Sequence, residues 1–373
     1  MAAIQYRLFF DNAPATRPLL DSVEAITVEQ EMDMAWEARL QIPLCVDQQG
    51  RWQGESEGFM RDFARVRVEI KVGNGVFTPL IDGPVVGRDS ARSSEPGQSQ
   101  ITLIVHDDSV YLNREEDVER YENRTDGEVA QQLFDTASQI ASTEIDQTAP
   151  PQGNLTPEPV RRGTAMQMLR TMAREHGMHA YVLPGDTPGA SVGCFKRPAT
   201  RPSGLPPLIL LGPERNVEQV NVSSSAQTPA TTRAFALSVT DKVTASSTSS
   251  FRDVDLLGES STLEDESSTG TELARPGPGS RVAVERRAAA RTERSSYAIE
   301  AEGTAIGACY TGVLLPYNVV TVQAINDRLS GDYLIRRVTH TLTRSTYRQT
   351  FGLKRNARSS GSDGLGDLIG SIF

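Results

Sequence analysis

Val66-Arg67-Val68-Glu69-Ile70-Lys71-Val72, Gly73-Asn74-Gly75, Val76-Phe77-Thr78-Pro79-Leu80-Ile81: this stretch sets the class of the fold. Apolar and polar residues alternate with period two, which places one set of side chains on each face of a strand. Gly-Asn-Gly supplies positions that accept positive φ, so the second run turns back as a hairpin. The pattern extends on both sides. Val23–Glu29 and Trp36–Ile42 alternate in the same way, Gly83 and Gly87 punctuate the strand after the hairpin, and Gln100–His106 closes the set. Short strands at this spacing predict a small antiparallel barrel or sandwich over residues 1–106.

From Asp107 the period changes. Thr125 with Glu128 has the spacing of a capping box, and Val129, Leu133, Ala137 and Ile140 share a helical stripe. Pro150 to Pro159 reads as a loop. Thr164 with Gln167 opens a second helix that carries Leu169 and Met172 inward and ends at Gly177. Ala180–Leu183 and Val192–Phe195 read as a hairpin. Residues 107–205 are thus expected to be an α/β insert.

Strand patterns return in residues 206–357, at Leu208–Leu211, Val217–Val222, Phe235–Val239, Val319–Ile325, Asp332–Leu342 and Tyr347–Leu353. The Ser/Glu/Gly-rich segment 246–279 reads as a long mobile loop. Ser280 is placed to cap a helix over 280–302, whose arginines (Arg281, Arg286, Arg287, Arg291, Arg294) form a solvated face. Residues 358–373 are a Ser/Gly linker and an apolar tail, with Leu365, Leu368, Ile369, Ile372 and Phe373 at amphipathic spacing. The expected class is α+β, mainly β, with two antiparallel β-barrel-like domains and an α/β insert between them. Two β regions around an insert is the pattern that duplication of one module leaves.

Composition narrows the function. With 373 residues there is room for two to four domains, but 38% hydrophobic and 6% aromatic residues give each a lean core, which favours burial against further copies. A formal charge of -10 argues against a duplex-DNA binder, which needs a positive field. Cys45, Cys194 and Cys309 lie far apart with no CxxC or metal-ligand spacing, and read as reduced packing residues. The N-terminal residues have no signal-peptide pattern and no apolar run is long enough to span a bilayer, so no membrane embedding is expected.

The strings that hint at chemistry are outweighed by their context. Gly189-Ala190-Ser191-Val192-Gly193 matches G-x-S-x-G, but Pro198 and Pro202 forbid the helix that a nucleophile elbow requires, so a hairpin turn is expected. His176 and His179 are separated by the helix-ending Gly177 and read as helix-end packing. Asp107-Asp108 and Glu115-Glu116-Asp117 are adjacent carboxylates, which point apart and do not face each other across a cleft as a glycosidase needs. Trp36 and Trp52 read as core and loop anchors. No catalytic residue, cofactor or metal is expected.

The C-terminal block reads Leu314-Leu315-Pro316-Tyr317-Asn318-Val319-Val320-Thr321-Val322, then Leu329-Ser330-Gly331-Asp332-Tyr333-Leu334-Ile335-Arg336-Arg337-Val338-Thr339-His340, then Tyr347 to Asn356. It resembles the closing segment of the phage late control protein D family, which includes baseplate hubs of contractile phages and resembles the N-terminal half of VgrG spikes. Val105-His106-Asp107-Asp108-Ser109 and Tyr121-Glu122-Asn123-Arg124-Thr125-Asp126 are similar to that family's barrel–insert junction and insert helix. The resemblance implies a homotrimer in which two barrel-like domains per chain make a pseudo-sixfold ring. That ring would meet the tail tube protein above and the central spike protein below, contact other baseplate proteins, and let DNA pass without specific binding. The chain would be made in the host cytoplasm and assembled into the virion tail. The glycine-rich extension of a fused spike is missing, so the needle is expected to be a separate protein and the apolar tail to dock on it or on a neighbouring hub chain. Two other readings stay open: the hub of an extracellular contractile injection particle or type VI-like apparatus, and a tail-associated cell-wall hydrolase.

Overall fold

The structure is a computed structural model that describes residues 3–53, 58–95, 97–148, 159–225, 227–237, 244–263, 270–274, 281–307, 309–323, 326 and 329–359. The chain is a mainly β, α+β fold built on a curled antiparallel half-barrel sheet. Alternation builds its first part. The inward residues of β1 (Ile4–Phe10), β2 (Ala25–Glu31), β3 (Glu37–Pro43), β4 (Arg65–Val72), β5 (Thr78–Ala91) and β6 (Gln100–His106) share one core, with Leu40, Val68, Ile70 and Leu103 fully covered. Each such side chain contributes about 1.5–3 kcal/mol of transfer free energy.

The insert follows. A short ladder joins β7 (Glu116–Arg120) to β9 (Val160–Thr164). Thr125 and Glu128 do close a capping box on α1 (Asp126–Phe134), and Thr164 and Gln167 close another on α2 (Ala165–Glu175). Gly177, at φ 69°, ends α2 as expected. β8 (Ile140–Ile145) runs parallel to β11 (Ser191–Lys196), which pairs antiparallel with β10 (His179–Pro184). Met166, Leu169, Met172, Phe134 and Phe195 fill the core between helices and sheet.

The last third supplies β12 (Val217–Ser224), a small plate of β13 (Thr231–Leu237), β14 (Thr244–Ser250) and β15 (Thr271–Leu273), then α3 (Arg281–Ser295), β16 (Ile299–Ala305), β17 (Val319–Gln323), β18 (Gly331–Thr343) and β19 (Tyr347–Arg355). Two expectations are corrected here. The segment expected as loop 246–279 contains β14 and β15. Strand β14 is polar on both faces, so alternation does not reveal it, yet it pairs with β13 along its whole length, and β13 lays Ala234 and Ala236 on Val284 and Ala288 of α3. Residues 264–269 and 275–280 lie outside the described residues, Ser280 with them. The expected helix over 280–302 ends at Ser295, where Ser296 donates its hydroxyl to Glu293 O; Ile299-Glu300-Ala301-Glu302-Gly303 then alternates buried and exposed as a strand.

One thirteen-stranded sheet links both β regions, in the order β12-β16-β19-β18-β2-β3-β6-β5-β4-β1 along its main path. Within it the same arrangement occurs twice. In sequence order the first region contributes β2, β3, β4, β5 and β6, and pairs them as β4-β5-β6-β3-β2. The second contributes β12, β16, β17, β18 and β19, and pairs them as β17-β18-β19-β16-β12. The third, fourth and fifth strands form a meander in each, and the second and first strands add to its far side.

Local details repeat as well. The long fourth strand of each region changes partner midway and carries a one-residue bulge there, at Val86 in β5 and Arg336 in β18. Just ahead of the third strand stands an aromatic residue in the left-handed region, Phe63 (φ 60°) or Tyr317 (φ 68°). Its N–H donates to the carbonyl of the residue before the bulge, Val85 or Ile335, and the N–H of that residue donates back to Ala64 O or Asn318 O. A non-glycine residue in this region costs roughly 1–3 kcal/mol, so it persists only where its surroundings fix it. The regions differ at one flank: β4 pairs antiparallel with β1, whereas β17 pairs parallel with Leu208–Ile209.

Candidate functional site

Three of the contacts that hold the regions and the insert together centre on buried polar side chains. At the seam between regions, β2 pairs with β18 from Arg337↔Glu31 to Thr343↔Ala25. His340, fully buried, lies 2.8 Å from the Tyr347 hydroxyl through Nδ1 and 3.1 Å from Gln30 Oε1 through Nε2, and Gln30 Nε2 donates to Leu80 O at 2.6 Å. The chain is satisfied by a neutral ring that accepts from Tyr347 and donates to Gln30. Burial drives the His340 pKa down to about 3.

A second contact joins all three parts. The Asp33 carboxylate meets His179 Nδ1 at 2.8 Å, the Asp33 N–H donates to the Tyr317 hydroxyl at 2.9 Å, and the Tyr317 ring stacks on Tyr181 at 3.6 Å. Burial lowers the pKa of His179 despite the Asp33 partner.

The third contact clamps the insert to the first region. Arg65 Nε donates to Asp82 (2.7 Å) and its two Nη groups grip Asp108 (2.9 and 2.6 Å). Arg67, 1% exposed, donates to Glu69, Asp82 and Gly185 O. The Gly189 N–H and the Ser191 hydroxyl come from the insert to Asp82 and Asp108.

This places the strings that hinted at chemistry. Ser191 is 1% exposed and its Oγ is committed to Asp108 at 2.6 Å. Gly189 is needed for its φ of 87°, and Gly193 for the Phe134 ring, which a Cβ would meet at 2.6 Å. Those two needs account for the G-x-S-x-G spacing. His176 and His179 turn to different carboxylates, Asp126 and Asp33. Among the described residues no group of three or more His, Cys, Asp or Glu is placed to hold a metal ion. Asp107 accepts from the N–H groups of Trp36 and Ser109 while Asp108 faces Arg65, so the adjacent carboxylates do point apart. Trp36 is buried, and Trp52 lies under the Arg92 guanidinium. Cys194 is buried, with its thiol pushed up to about 12, chiefly by burial, whereas Cys45 and Cys309 are exposed. On α3, Arg281 pairs with Glu285 and Arg291 with Glu272, and Arg286 leans toward Asp126 and Glu175 of the insert. Leu365, Leu368, Ile369, Ile372 and Phe373 lie outside the described residues. No helix among the described residues is long and apolar enough to cross a membrane.

The surface that sequence reading missed is the face of the sheet turned away from the core. Cross-strand pairs carry it unbroken over eight strands, from Asp89↔Thr102 through Arg39↔Thr27 and Arg337↔Glu31 to Glu302↔Asn221. It presents seven carboxylates (Glu29, Glu31, Glu37, Asp89, Glu218, Glu300, Glu302) and five cations (Arg39, Arg336, Arg337, Arg348, Lys354), a balance of two negative charges, among threonines.

No protein-family model and no curated protein matches the sequence. Solved structures do match it. A tail protein from Neisseria meningitidis aligns over 94% of this chain and 96% of its own, with a TM-score of 0.65 at 13% identity. The two share a fold. The 43 kDa tail protein of prophage MuSo2 from Shewanella oneidensis aligns over 95% and 98%, at TM-score 0.64 and 14% identity. An E. coli component of the type VI secretion system, itself similar to T4 tail proteins gp27 and gp5, aligns over 90% and 74%, at TM-score 0.54 and 10% identity.

Proposed function

We propose that this chain is a structural, non-enzymatic hub of a phage contractile-tail baseplate, three copies of which form a ring between a sixfold tail tube and a threefold spike. The observation that carries the reading is the doubled five-strand arrangement with its matched bulges at Val86 and Arg336. Three copies of two like modules offer six like surfaces to the tube while keeping threefold symmetry for the spike, which resolves the mismatch with one closed set of contacts. The proposed parts are a first hub domain at 1–106, the insert at 107–205, a second hub domain at 206–357 and a docking tail at 358–373.

In such a ring the polar sheet face would line the channel. Its balance of two negative charges gives DNA phosphates no field to adhere to. The tail-protein fold supports assembly into a virion tail; the type VI component among the similar structures keeps the injection-particle hub open as a second reading, with the same geometry. The committed Ser191 hydroxyl speaks against a hydrolase. Electron microscopy of the chain mixed with its tube protein tests the proposal: rings with a near-hexagonal rim should cap the tubes. Tubes without caps would overturn it.

A further inference from the structure

In the second region the fourth strand, beyond its bulge, is paired on both sides: Arg337–Thr343 of β18 meets β19 on one edge and β2 on the other. In the first region the matching segment of β5, Gly87–Ala91, pairs with β6 on one edge, and among the described residues no strand pairs with it on the other. The strand that matches β2 is β12, and it too has one ladder, to β16, and one open edge. Among the described residues both segments thus keep an unpaired edge, and these are the counterparts of the two edges already joined within the chain. Open edges present rows of free N–H and C=O groups and are templates for pairing with another chain.

We propose that β12 of one copy pairs antiparallel with the Gly87–Ala91 edge of β5 in a second copy, continuing the sheet from chain to chain; this rests on the ring reading above. The register follows from the pairings. Ala38 opposes Val105 on one side and Val28 on the other, and Ala301 opposes Leu353 and Val222 in the same way, so Val222 is the counterpart of Val28. The bulges make Gly87 the counterpart of Arg337, and hence Ser90 that of His340. Since His340 faces Val28 at the internal seam, Ser90 faces Val222 between chains. The neighbouring pairs are Gly87↔Ser225, Arg88↔Ser224, Asp89↔Ser223 and Ala91↔Asn221. None sets like charges opposite one another or brings a proline into the ladder. Arg88 to Ala91 are exposed, as are Asn221 and Ser223 to Ser225, and Val222 is half-buried. A head-to-tail contact of this kind joins two different surfaces, so it propagates until the ring closes.

Paired cysteines test both the contact and its register. Directly opposed residues stand about 4.5–5.5 Å apart at Cα, within disulfide range, whereas residues two positions off stand about 7–8 Å apart. The background is Cys45→Ser with Cys309→Ser, which removes the exposed native thiols. Oxidation of Ser90→Cys/Val222→Cys should give disulfide-linked oligomers on a denaturing gel. Each single variant alone should give none, a mixture of the two single variants should give linked dimers, and Ser90→Cys/Ser224→Cys should link at most one-tenth as well. Mass in native solution is measured alongside. Three copies without a Ser90–Val222 link overturn the edge pairing and leave the hub reading standing. An in-register link with a copy number other than three supports the pairing and overturns the ring reading. A chain that stays single and unlinked overturns both.

Discussion

His340 Nε2 lies 3.1 Å from Gln30 Oε1, and the two residues are separated by 310 positions of sequence. One belongs to each β region, so this hydrogen bond crosses the seam on which the continuous sheet depends. Both residues are buried, Gln30 1% and His340 0% exposed. Gln30→Ala or His340→Leu leaves the other polar side chain buried and unsatisfied, which costs about 1–3 kcal/mol beyond any packing loss. Urea unfolding should show a lower midpoint for either single variant. The double variant should fall short of the sum of the two, since both report one interaction.

The same ring sets a dependence on pH. A His340 pKa near 3 in the folded chain, against about 6.5 when unfolded, means that only the unfolded state takes up the proton between those values. Its contribution to stability is therefore complete above about pH 6.5 and is lost as the pH falls toward 3, at about 1.4 kcal/mol per unit. His179, also lowered by burial, acts in the same direction. Unfolding free energies at pH 7.5 and 4.5 check this: the drop should be smaller in His340→Leu than in the native chain, and equal drops would exclude His340 as a source.

At the insert clamp, Asp82 accepts from Arg65, Arg67 and the Gly189 N–H. Asp82→Ala takes away one acceptor shared by two guanidinium groups, leaving Arg65 with Asp108 and Arg67 with Glu69 and Gly185 O, so the loss should reach at most the about 3–5 kcal/mol of a buried pair broken from one side. The exposed pair of Arg88 with Asp62 is a control, with Arg88→Ala expected to change stability by less than about 1 kcal/mol. Limited proteolysis should cut the Asp82→Ala chain faster than the Arg88→Ala chain within residues 184–191.

Ser191→Ala tests the hydrolase reading. It removes one hydrogen bond to Asp108, for an expected loss of about 1 kcal/mol in stability. Incubation of native chain and variant with peptidoglycan should release no fragments from either. Release by the native chain alone would restore Ser191 as a nucleophile.

The apolar tail is best removed from residue 360 onward, because Arg358 pairs with Ser260 and the Ser359 hydroxyl donates to Ser330 O at 2.7 Å. Deletion of 360–373 should leave the melting temperature unchanged and abolish co-sedimentation with the spike protein. Retained co-sedimentation would end the docking role of Leu365, Leu368, Ile369, Ile372 and Phe373.

Much of the fold was legible in local pattern. The Val66–Ile81 hairpin and both capping boxes follow from spacing alone, since each depends on residues a few positions apart. Three features were hidden because distant partners decide them. Gly83 and Gly87 read as punctuation, yet both lie inside β5, where a Cβ on Gly83 would meet His106 O at 1.9 Å. Arg67 and Glu69 alternate with valines as solvent-facing residues do, but the insert loop at 185–189 lies over them. The repeat was legible only as two β regions around an insert. Its strand order emerges from pairings, and β2 finds one of its two partners three hundred residues away in β18.

The mass of the assembled chain in native solution bears most directly on the claim that two like modules per chain build one ring. Three copies of a 40.6 kDa chain give about 122 kDa, with no larger species as concentration rises. A stable single chain, or an open series that grows with concentration, would contradict it.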